Sequence, residues 1–272
     1  MLNFSSSPRE MIATAWRNRG LIRALVKREV LGRYRGSALG ILWSFFHPVF
    51  MLAVYTFVFS VVFKARWSGG SDSKTEFALV LFAGLIIFNL FSECVSRAPS
   101  LILANANYVK KVVFPLEILP LVSLGSALFH TLVSFGVWLL FYLIFFGLPK
   151  ATLILFPLVL IPLLFFTMGL SWLLASLGVY LRDVGQIIGL TVTVLMFLSP
   201  IFYPVSALPE EYRILLNLNP LTLVIEQARD VLVWGKPLDP LVFIAYAIVS
   251  YFVAWLGFAW FQKTRKGFAD VL

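Results

Sequence analysis

The sequence predicts an all-α polytopic membrane protein with six transmembrane helices. Of its 272 residues, 60% are hydrophobic and only 13% are charged, whereas soluble domains carry about 25% charged residues. The mean hydropathy of +0.92 points the same way. Six long runs also lack Asp, Glu, Lys and Arg, and a helix needs about 20 apolar residues to cross a bilayer. These observations favour a single membrane domain.

The charge-free runs are the predicted spans, in the order in which the chain crosses the membrane. They cover residues 37–63, 77–92, 118–149, 151–181, 184–209 and 240–262. The second run has 16 residues and is long enough only if Glu93 lies at the membrane edge or inside the protein. The third and fourth runs meet at Pro149-Lys150, and the fourth and fifth meet at Arg182-Asp183. Both connections are therefore predicted to be tight turns.

Six crossings place both termini on one side, and the charges of the loops then set the orientation. Lys and Arg number 15 on the side of the termini and seven on the other side. Because cytoplasmic loops carry the excess of basic residues, both termini are predicted to be cytoplasmic. The membrane domain is then 37–262, with a cytoplasmic tail at 263–272 and a structured cytoplasmic loop at 97–115.

Residues 1–36 are too polar to span and are predicted to form an N-terminal amphipathic interfacial helix. Ile22, Val26 and Val30 recur every four residues, and basic residues supply another face. Such a helix is held by burial of its apolar side and by attraction to anionic lipid. The alternative is a basic cytoplasmic helix packed on the protein.

The outer segment 206–236 is predicted to form a re-entrant helix pair before the last span. Ser206 is a plausible N-cap for the first helix, and Pro220 suits the first position of the second. Glu226 and Arg229 stand three residues apart, which allows them to pair on one helix face. Apolar residues in both helices indicate that the pair dips back toward the membrane.

The chain lacks the motifs that catalysis or nucleotide binding would need. It has no G-x-x-x-x-G-K-[ST] phosphate loop, no H-E-x-x-H and no G-x-S-x-G. Cys94, the only cysteine, is interpreted as a buried apolar residue, His47 as part of a proline kink and His130 as a hydrogen-bonded interior residue. No Asp, Glu, Lys or Arg falls at the centre of a span, which disfavours proton-coupled transport. The energy source is then a partner protein.

Aromatic residues are abundant, with 27 Phe, 9 Tyr and 8 Trp. Those in the first and fifth spans are candidate channel-lining residues, because the apolar C–H faces of sugar rings can lie on aromatic rings. The candidates are Trp43, Phe46, Phe50, Phe57, Phe197, Phe202 and Tyr203. The alternative for each residue is a lipid-facing ring or a place in an interfacial belt.

Several short motifs follow one another in a recognisable order. They are Lys27-Arg28-Glu29, Arg33-Tyr34-Arg35-Gly36-Ser37, Leu39-Gly40-Ile41-Leu42-Trp43, residues 105–115, Glu117-Ile118-Leu119-Pro120, Tyr180-Leu181-Arg182-Asp183-Val184, Ser199-Pro200-Ile201-Phe202-Tyr203, Leu218-Asn219-Pro220-Leu221, Ile225-Glu226 and Arg229. Together they resemble the membrane subunit of bacterial ABC exporters for surface polysaccharide, of the O-antigen and teichoic-acid export permease type. The resemblance covers roughly residues 20–265.

The resemblance implies a transporter driven by another chain. The protein would be a homodimer with a channel between its copies, and two copies of a separate ATPase subunit would use ATP and Mg²⁺ on the cytoplasmic side. This chain would bind no cofactor or metal itself, have no catalytic residue, and bind no nucleic acid. The substrate would be a lipid-linked glycan, such as the O-antigen of lipopolysaccharide, exported across the bacterial inner membrane.

The resemblance also assigns residues to roles. A coupling helix around 99–112 and the turn 182–183 would contact the ATPase through Asn105, Asn107, Tyr108, Lys110, Lys111, Arg182 and Asp183. The outer helices would act as a gate through Pro220, Glu226 and Arg229. The two lysines could pair with acids on the partner, or only obey the positive-inside rule.

Three other functions compete with polysaccharide export. The nearest is an ABC efflux permease for a drug or small lipid, which needs a lateral pocket rather than a wide channel. A membrane-bound transferase is a second, for which Glu93 and Glu117 could lie close together, although no nucleophile accompanies them. A scaffold without a transport role is a third.

Overall fold

The computed structural model describes residues 5–62, 67, 74–109 and 114–272, and these residues form helices and connections with no β-strand. The α-helices in this part of the chain are α1 (Pro8–Arg17), α2 (Arg19–Arg33), α3 (Trp43–Tyr55), α4 (Lys74–Arg97), α5 (Leu101–Ala104), α6 (Ala106–Val109), α7 (Leu119–Phe146), α8 (Phe156–Tyr180), α9 (Val184–Phe197), α10 (Glu210–Leu218), α11 (Pro220–Arg229), α12 (Pro240–Thr264) and α13 (Phe268–Val271). The predicted all-helical class is confirmed.

Five helical stretches among the described residues are long and apolar enough to cross a membrane. They are Gly40–Phe59, Lys74–Ala104, Leu116–Phe146, Ala151–Tyr180 and Pro240–Val271. The second is the centre of the bundle, since 83% of its most apolar window is buried inside the chain, against 17% for the first. Glu93, which ends the charge-free run of the second predicted span, lies within the continuous helix α4.

The predicted span 184–209 is not one continuous helix. Helix α9 has 14 residues, which is about 21 Å at 1.5 Å per residue, whereas the hydrocarbon core is about 30 Å thick. Pro200 follows Leu198 and Ser199 and restricts the backbone of the residue before it, so the helix ends there. The side-chain amide of Asn219 donates to the carbonyl of Leu198 and to Ser199 Oγ, which fixes the turn against the start of α11.

Ser206 is not the N-cap that the sequence predicted. It lies in the 3₁₀ turn Val205–Ala207, and α10 begins at Glu210 after Pro209. Leu208 precedes a proline, which disfavours helical backbone at that residue, and its ψ is 144°. The predicted start of the second helix at Pro220 is correct, and Asn219 is its N-cap.

Small residues and an indole hydrogen bond hold the spans close together. A Cβ on Gly169 would lie 2.4 Å from the carbonyl oxygen of Val253, and a Cβ on Gly257 would lie 2.0 Å from that of Gly169. Glycine at both positions therefore allows α8 and α12 to pack backbone against backbone. Trp138 Nε1 donates to the carbonyl of Leu79 and joins α7 to α4.

The bundle has two ends, which we name the terminal end and the hairpin end. At the terminal end, the buried carboxylate of Glu117 lies 2.6 Å from Arg265 and accepts a hydrogen bond from Thr14. At the hairpin end, Lys150 Nζ donates to the carbonyl of Trp234 across the turn between α7 and α8. Helix α1 and the end of α12 are therefore at the same end of the bundle as the start of α7.

The N-terminal region consists of two helices, with a break at Asn18. The apolar face of α2 packs on α7, where Leu25 contacts Ile118 and Val122. A Cβ on Gly125 would lie 2.5 Å from Val26, so the contact between α2 and α7 is close. The predicted apolar face is therefore covered by protein, as in the alternative interpretation of this segment.

Candidate functional site

The predicted coupling segment is anchored from within the chain. Its described residues include a 3₁₀ turn, Ala98–Ser100, followed by α5 and α6. Gly178 of α8 is in direct contact with Pro99, because a Cβ there would lie 2.0 Å from the Pro99 carbonyl oxygen. Asn105 donates its side-chain amide to the carbonyl of Leu101 and so closes α5. Asn107 lies in α6.

Tyr108 connects the coupling segment to the N-terminal helices. Both terminal nitrogens of Arg28 lie 3.1 Å from its hydroxyl oxygen, and its ring is stacked on that of Phe114 with centroids 4.2 Å apart. A movement of α6 would therefore act directly on α2. Lys110 and Lys111 lie outside the described residues.

The second predicted contact with an ATPase, Arg182-Asp183, is an exposed turn between α8 and α9. A Cβ on Gly185, just after this turn, would meet the Pro99 side chain at 4.0 Å. Gly178 and Gly185 thus place the turn next to the 3₁₀ turn of the coupling segment. The two segments assigned to one partner are neighbours in space.

The predicted channel aromatics fall into two groups. Trp43, Phe46, Phe50, Phe57 and Phe197 are exposed on the surface of the single chain, on and around α3 and on α9. Phe202, by contrast, is buried and stacked on Phe59 with centroids 4.5 Å apart, and Tyr203 donates its hydroxyl to the carbonyl of Phe197.

Arg229, a predicted gate residue, is fully buried at the hairpin end. Its guanidinium donates to the carbonyls of Val80, Pro200 and Ile201 and pairs with Glu226 at 2.8 Å, and it lies 4.2 Å from the centroid of the Trp67 ring. We name this arrangement the arginine site. It joins α11, which begins at Pro220, to α4 and to the turn after α9. The predicted pairing of Glu226 with Arg229 is present.

A cavity of about 860 Å³ opens between α2, α3, α4 and α7 toward the terminal end. We name it the polar cavity. Its charged and hydroxyl-bearing lining residues are Glu29, Arg33, Tyr34, Ser44, Ser92, Glu93, Ser96, Arg97, Ser126, Thr131 and Ser134, with His47, His130 and Asn89. Trp43, Pro48, Ile86, Leu90 and Val192 supply apolar surface.

The charges of the polar cavity form a connected network. Arg33 lies 2.5 Å from Glu93, and Arg97 lies 2.5 Å from Glu29 and 3.8 Å from Glu93. A hydrogen bond of 3.3 Å joins His130 Nδ1 to the Tyr34 hydroxyl, in agreement with the predicted hydrogen-bonded interior position of His130. The network therefore ties α2 to α4 and α7 around an open space.

The sequence points to Glu93, His47 and His130 as notable polar residues, but no pattern in it predicts this cavity. The partners Glu29 and Arg33 are about 60 residues away in the chain, and no local spacing links them to α4. Asn89 was a usable signal, since an amide within an apolar span requires a partner or water.

Glu93 and Glu117 belong to separate ion pairs, with Arg33 and Arg265 respectively. Neither has an unpaired carboxylate available for acid–base work. The described residues also contain no group of three or more His, Cys, Asp or Glu side chains that could hold a metal ion.

The chain is similar to known membrane proteins over most of its length. A family model described as "ABC-2 type transporter" matches residues 20–233. An "O-antigen export system permease protein RfbA" of Myxococcus xanthus is 29% identical over 96% of this chain and 98% of its own length. A protein of the same description from Klebsiella pneumoniae is 25% identical over 93% and 95%. A "Polysialic acid transport protein KpsM" of Escherichia coli is 24% identical over 79% and 81%.

Proposed function

Because the chain belongs to the ABC-2 type transporter family, we propose that it is the membrane subunit of an ATP-driven exporter of lipid-linked surface polysaccharide. The observation that carries this proposal is the alignment of O-antigen export permeases over nearly the whole chain. The polysaccharide transport protein among the relatives supports the same substrate class. An O-antigen-like glycan is the expected cargo, and a teichoic acid is another surface polymer that such permeases could carry.

The proposed topology has six crossings of the bacterial inner membrane, with the terminal end of the bundle facing the cytoplasm. Five long apolar helices and the shorter α9 supply the crossings. The α10–α11 pair would be re-entrant and would lengthen the fifth crossing, made by α9, at the hairpin end. The basic excess at the termini supports this orientation.

A homodimer is proposed because two helices leave their apolar faces uncovered by the rest of the chain. Helix α9 has no buried residue, and the exposed rings of α3 include Phe46 and Phe50. If these two helices faced a second copy, Trp43 and Phe197 would line a channel between the copies. A sugar polymer could slide along such rings through its apolar C–H faces.

A separate ATPase is proposed to dock against the segment 97–115 and the 182–183 turn, and to supply ATP and Mg²⁺ chemistry. The anchoring of this segment on Gly178 and Arg28 supports it, because force is transmitted only through a rigid contact. Exchanging Lys110 and Lys111 for Glu would place negative charge where the partner's acids are expected. Export should then be lost while the protein still inserts.

The matched control for the lysine exchange is Lys263→Glu with Lys266→Glu, which makes the same charge change at the same end of the bundle. Export is expected to survive in the control. If export persisted in the Lys110/Lys111 variant, the docking role of these lysines would be wrong.

The proposed function is tested by depleting the chain in its own host and following lipid-linked glycan on each side of the inner membrane. Accumulation of glycan in the cytoplasm with loss from the surface is the expected result. Unchanged surface glycan would contradict the proposal and would favour efflux of a drug or small lipid.

A further inference from the structure

The polar cavity contains buried polar atoms that the chain itself leaves without a partner. Ser126 Oγ and His130 Nε2 are both buried, and neither makes a hydrogen bond among the described residues. His130 Nε2 lies 4.0 Å from the nearest carboxylate oxygen of Glu93, beyond hydrogen-bonding distance. A buried donor or acceptor without a partner costs about 1–3 kcal/mol. Water or another polar molecule in the open cavity could hydrogen-bond to both atoms.

The size and openness of the cavity fit a bound molecule rather than a packing defect. Its volume of about 860 Å³ falls within the range of about 300–1,000 Å³ typical of ligand sites. Asn89 faces it from the middle of α4 and is exposed, although this helix is otherwise the most buried span. An amide at that depth requires water or a polar ligand.

The charges around the cavity disfavour an anion. The two arginines are each paired with a glutamate, so that Arg33, Arg97, Glu29 and Glu93 sum to zero. A phosphate would have to separate these pairs and approach two carboxylates. A lipid tail is also disfavoured, because it would leave the unpartnered Ser126 and His130 atoms buried against hydrocarbon.

A neutral sugar ring matches both the polar and the apolar residues of the cavity lining. Each sugar hydroxyl both donates and accepts, so it can bind carboxylates, guanidinium N–H groups and the serine and threonine hydroxyls. The apolar face of the ring would have Trp43, Leu90 and Val192 to lie against. The lining thus combines the two kinds of contact that a carbohydrate offers.

We propose that the polar cavity is a subsite for one neutral sugar unit of the exported glycan, a proposal that rests on the proposed function. The subsite lies within a single copy, at the terminal end, beside the α3 and α9 faces. Its wall is also connected to the coupling segment, because α2 supplies Glu29 and Arg33 to the cavity and Arg28 to Tyr108. A sugar held in the cavity would therefore contact the helix that the ATPase contact moves.

The test is glycan binding by the full transporter complex in nanodiscs, measured by saturation-transfer NMR. The probe is the lipid-free polysaccharide released by mild acid from the host surface. Ser126→Leu fills the cavity, and Asn89→Leu removes its exposed amide. Each variant should weaken binding by at least about tenfold, equivalent to about 1.4 kcal/mol.

Each variant has a matched control. Ser123→Leu changes an equally buried, unpartnered serine one turn earlier on α7 that does not line the cavity. Ser250→Leu makes a polar-to-leucine change on α12, at a residue that does not line the cavity. Binding in both controls should stay within about twofold of the unchanged protein, a difference of about 0.4 kcal/mol.

Three outcomes would overturn the subsite. They are unchanged binding in both cavity variants, displacement of the probe by inorganic pyrophosphate, and no binding of the polysaccharide by the unchanged complex. If depletion of the chain still removes surface glycan, these outcomes reject the subsite and leave the exporter assignment standing. If depletion leaves surface glycan unchanged, the exporter assignment fails and the subsite fails with it.

Discussion

The arginine site and the polar cavity both place charged side chains in the helix bundle, but they differ in whether their polar groups have partners within the chain. Arg229 is fully buried, and its donors are taken up by three carbonyls and by Glu226. In the polar cavity, the side chain of Arg33 is 52% exposed and His130 Nε2 has no partner. A site whose polar groups are all satisfied internally holds the fold, whereas a site with unsatisfied groups and open space can bind a ligand.

The protonation of Arg229 follows from the same surroundings. The carboxylate of Glu226, 2.8 Å from the guanidinium, favours its charged form. The guanidinium therefore stays protonated at neutral pH, which its hydrogen bonds to three carbonyls require. Its role as a structural cation does not depend on a pH change in the physiological range.

Arg229→Leu is expected to produce the largest loss of stability. Removing the guanidinium leaves the carbonyls of Val80, Pro200 and Ile201 without their donor and should cost about 3–5 kcal/mol. Thermal unfolding of the purified protein in detergent measures the loss. The control Arg213→Leu removes a partly exposed arginine of α10 that pairs with exposed Glu210 and donates to the carbonyls of Ser206 and Leu208. Because this site is open to solvent, water can replace the lost contacts, and the change should cost about 1 kcal/mol or less. Equal losses in the two variants would show that burial does not set the difference.

The sequence predicts the arginine site better than the polar cavity because the first is partly local. The spacing of Glu226 and Arg229 within one helix identifies their pair directly. The carbonyl partners of Arg229 come from the turn after α9 and from α4, and no side-chain pattern encodes a backbone acceptor. The cavity depends on how α2 lies over α4 and α7, so Glu29 and Glu93 are brought together only by tertiary packing.

The spans themselves are predictable because hydrophobic length is a property of the sequence alone. The long apolar helices appear close to the charge-free runs. The exception is the region after α9, where Pro200 ends the helix and Asn219 fixes the turn. There the uncharged residues continue to residue 209, whereas helix α9 ends at Phe197.

Gly84→Ala tests how tightly the arginine site is packed. An added Cβ would lie 2.9 Å from Arg229 Nη2 and 3.4 Å from Ile225. The guanidinium cannot move aside without stretching its hydrogen bonds, so overpacking should cost about 1–3 kcal/mol. In Gly136→Ala on α7, the added methyl meets nothing within 4 Å, and the better helix propensity of alanine should leave stability unchanged or slightly raised. Equal unfolding temperatures for the two alanine variants would mean that the site is loosely packed.

Arg33→Gln should separate stability from function in the polar cavity. The Arg33 side chain is half-exposed, and Glu93 keeps Arg97 at 3.8 Å when Arg33 is removed, so the variant should lose only about 0–1 kcal/mol of stability. Surface glycan and glycan binding should fall, because the guanidinium is one of the proposed sugar contacts. Arg17→Gln, which breaks the exposed pair with Glu10 on α1, is the control and should leave both unchanged. A large drop in unfolding temperature with normal export would make the cavity a structural site like that of Arg229.

Tyr108→Phe is expected to change stability least and addresses the link between the cavity wall and the coupling segment. The variant keeps the ring stacked on Phe114 but removes the hydroxyl that Arg28 contacts, at a cost below about 1 kcal/mol. Glycan exported per ATP hydrolysed should fall while the unfolding temperature stays nearly constant, because α2 would no longer follow α6. Tyr212→Phe, on an exposed residue of α10, should change neither quantity. If Tyr108→Phe leaves the amount of glycan exported per ATP unchanged, α2 does not transmit the movement of α6 to the cavity. The cavity would then respond to the ATPase through Pro99 and α8 instead.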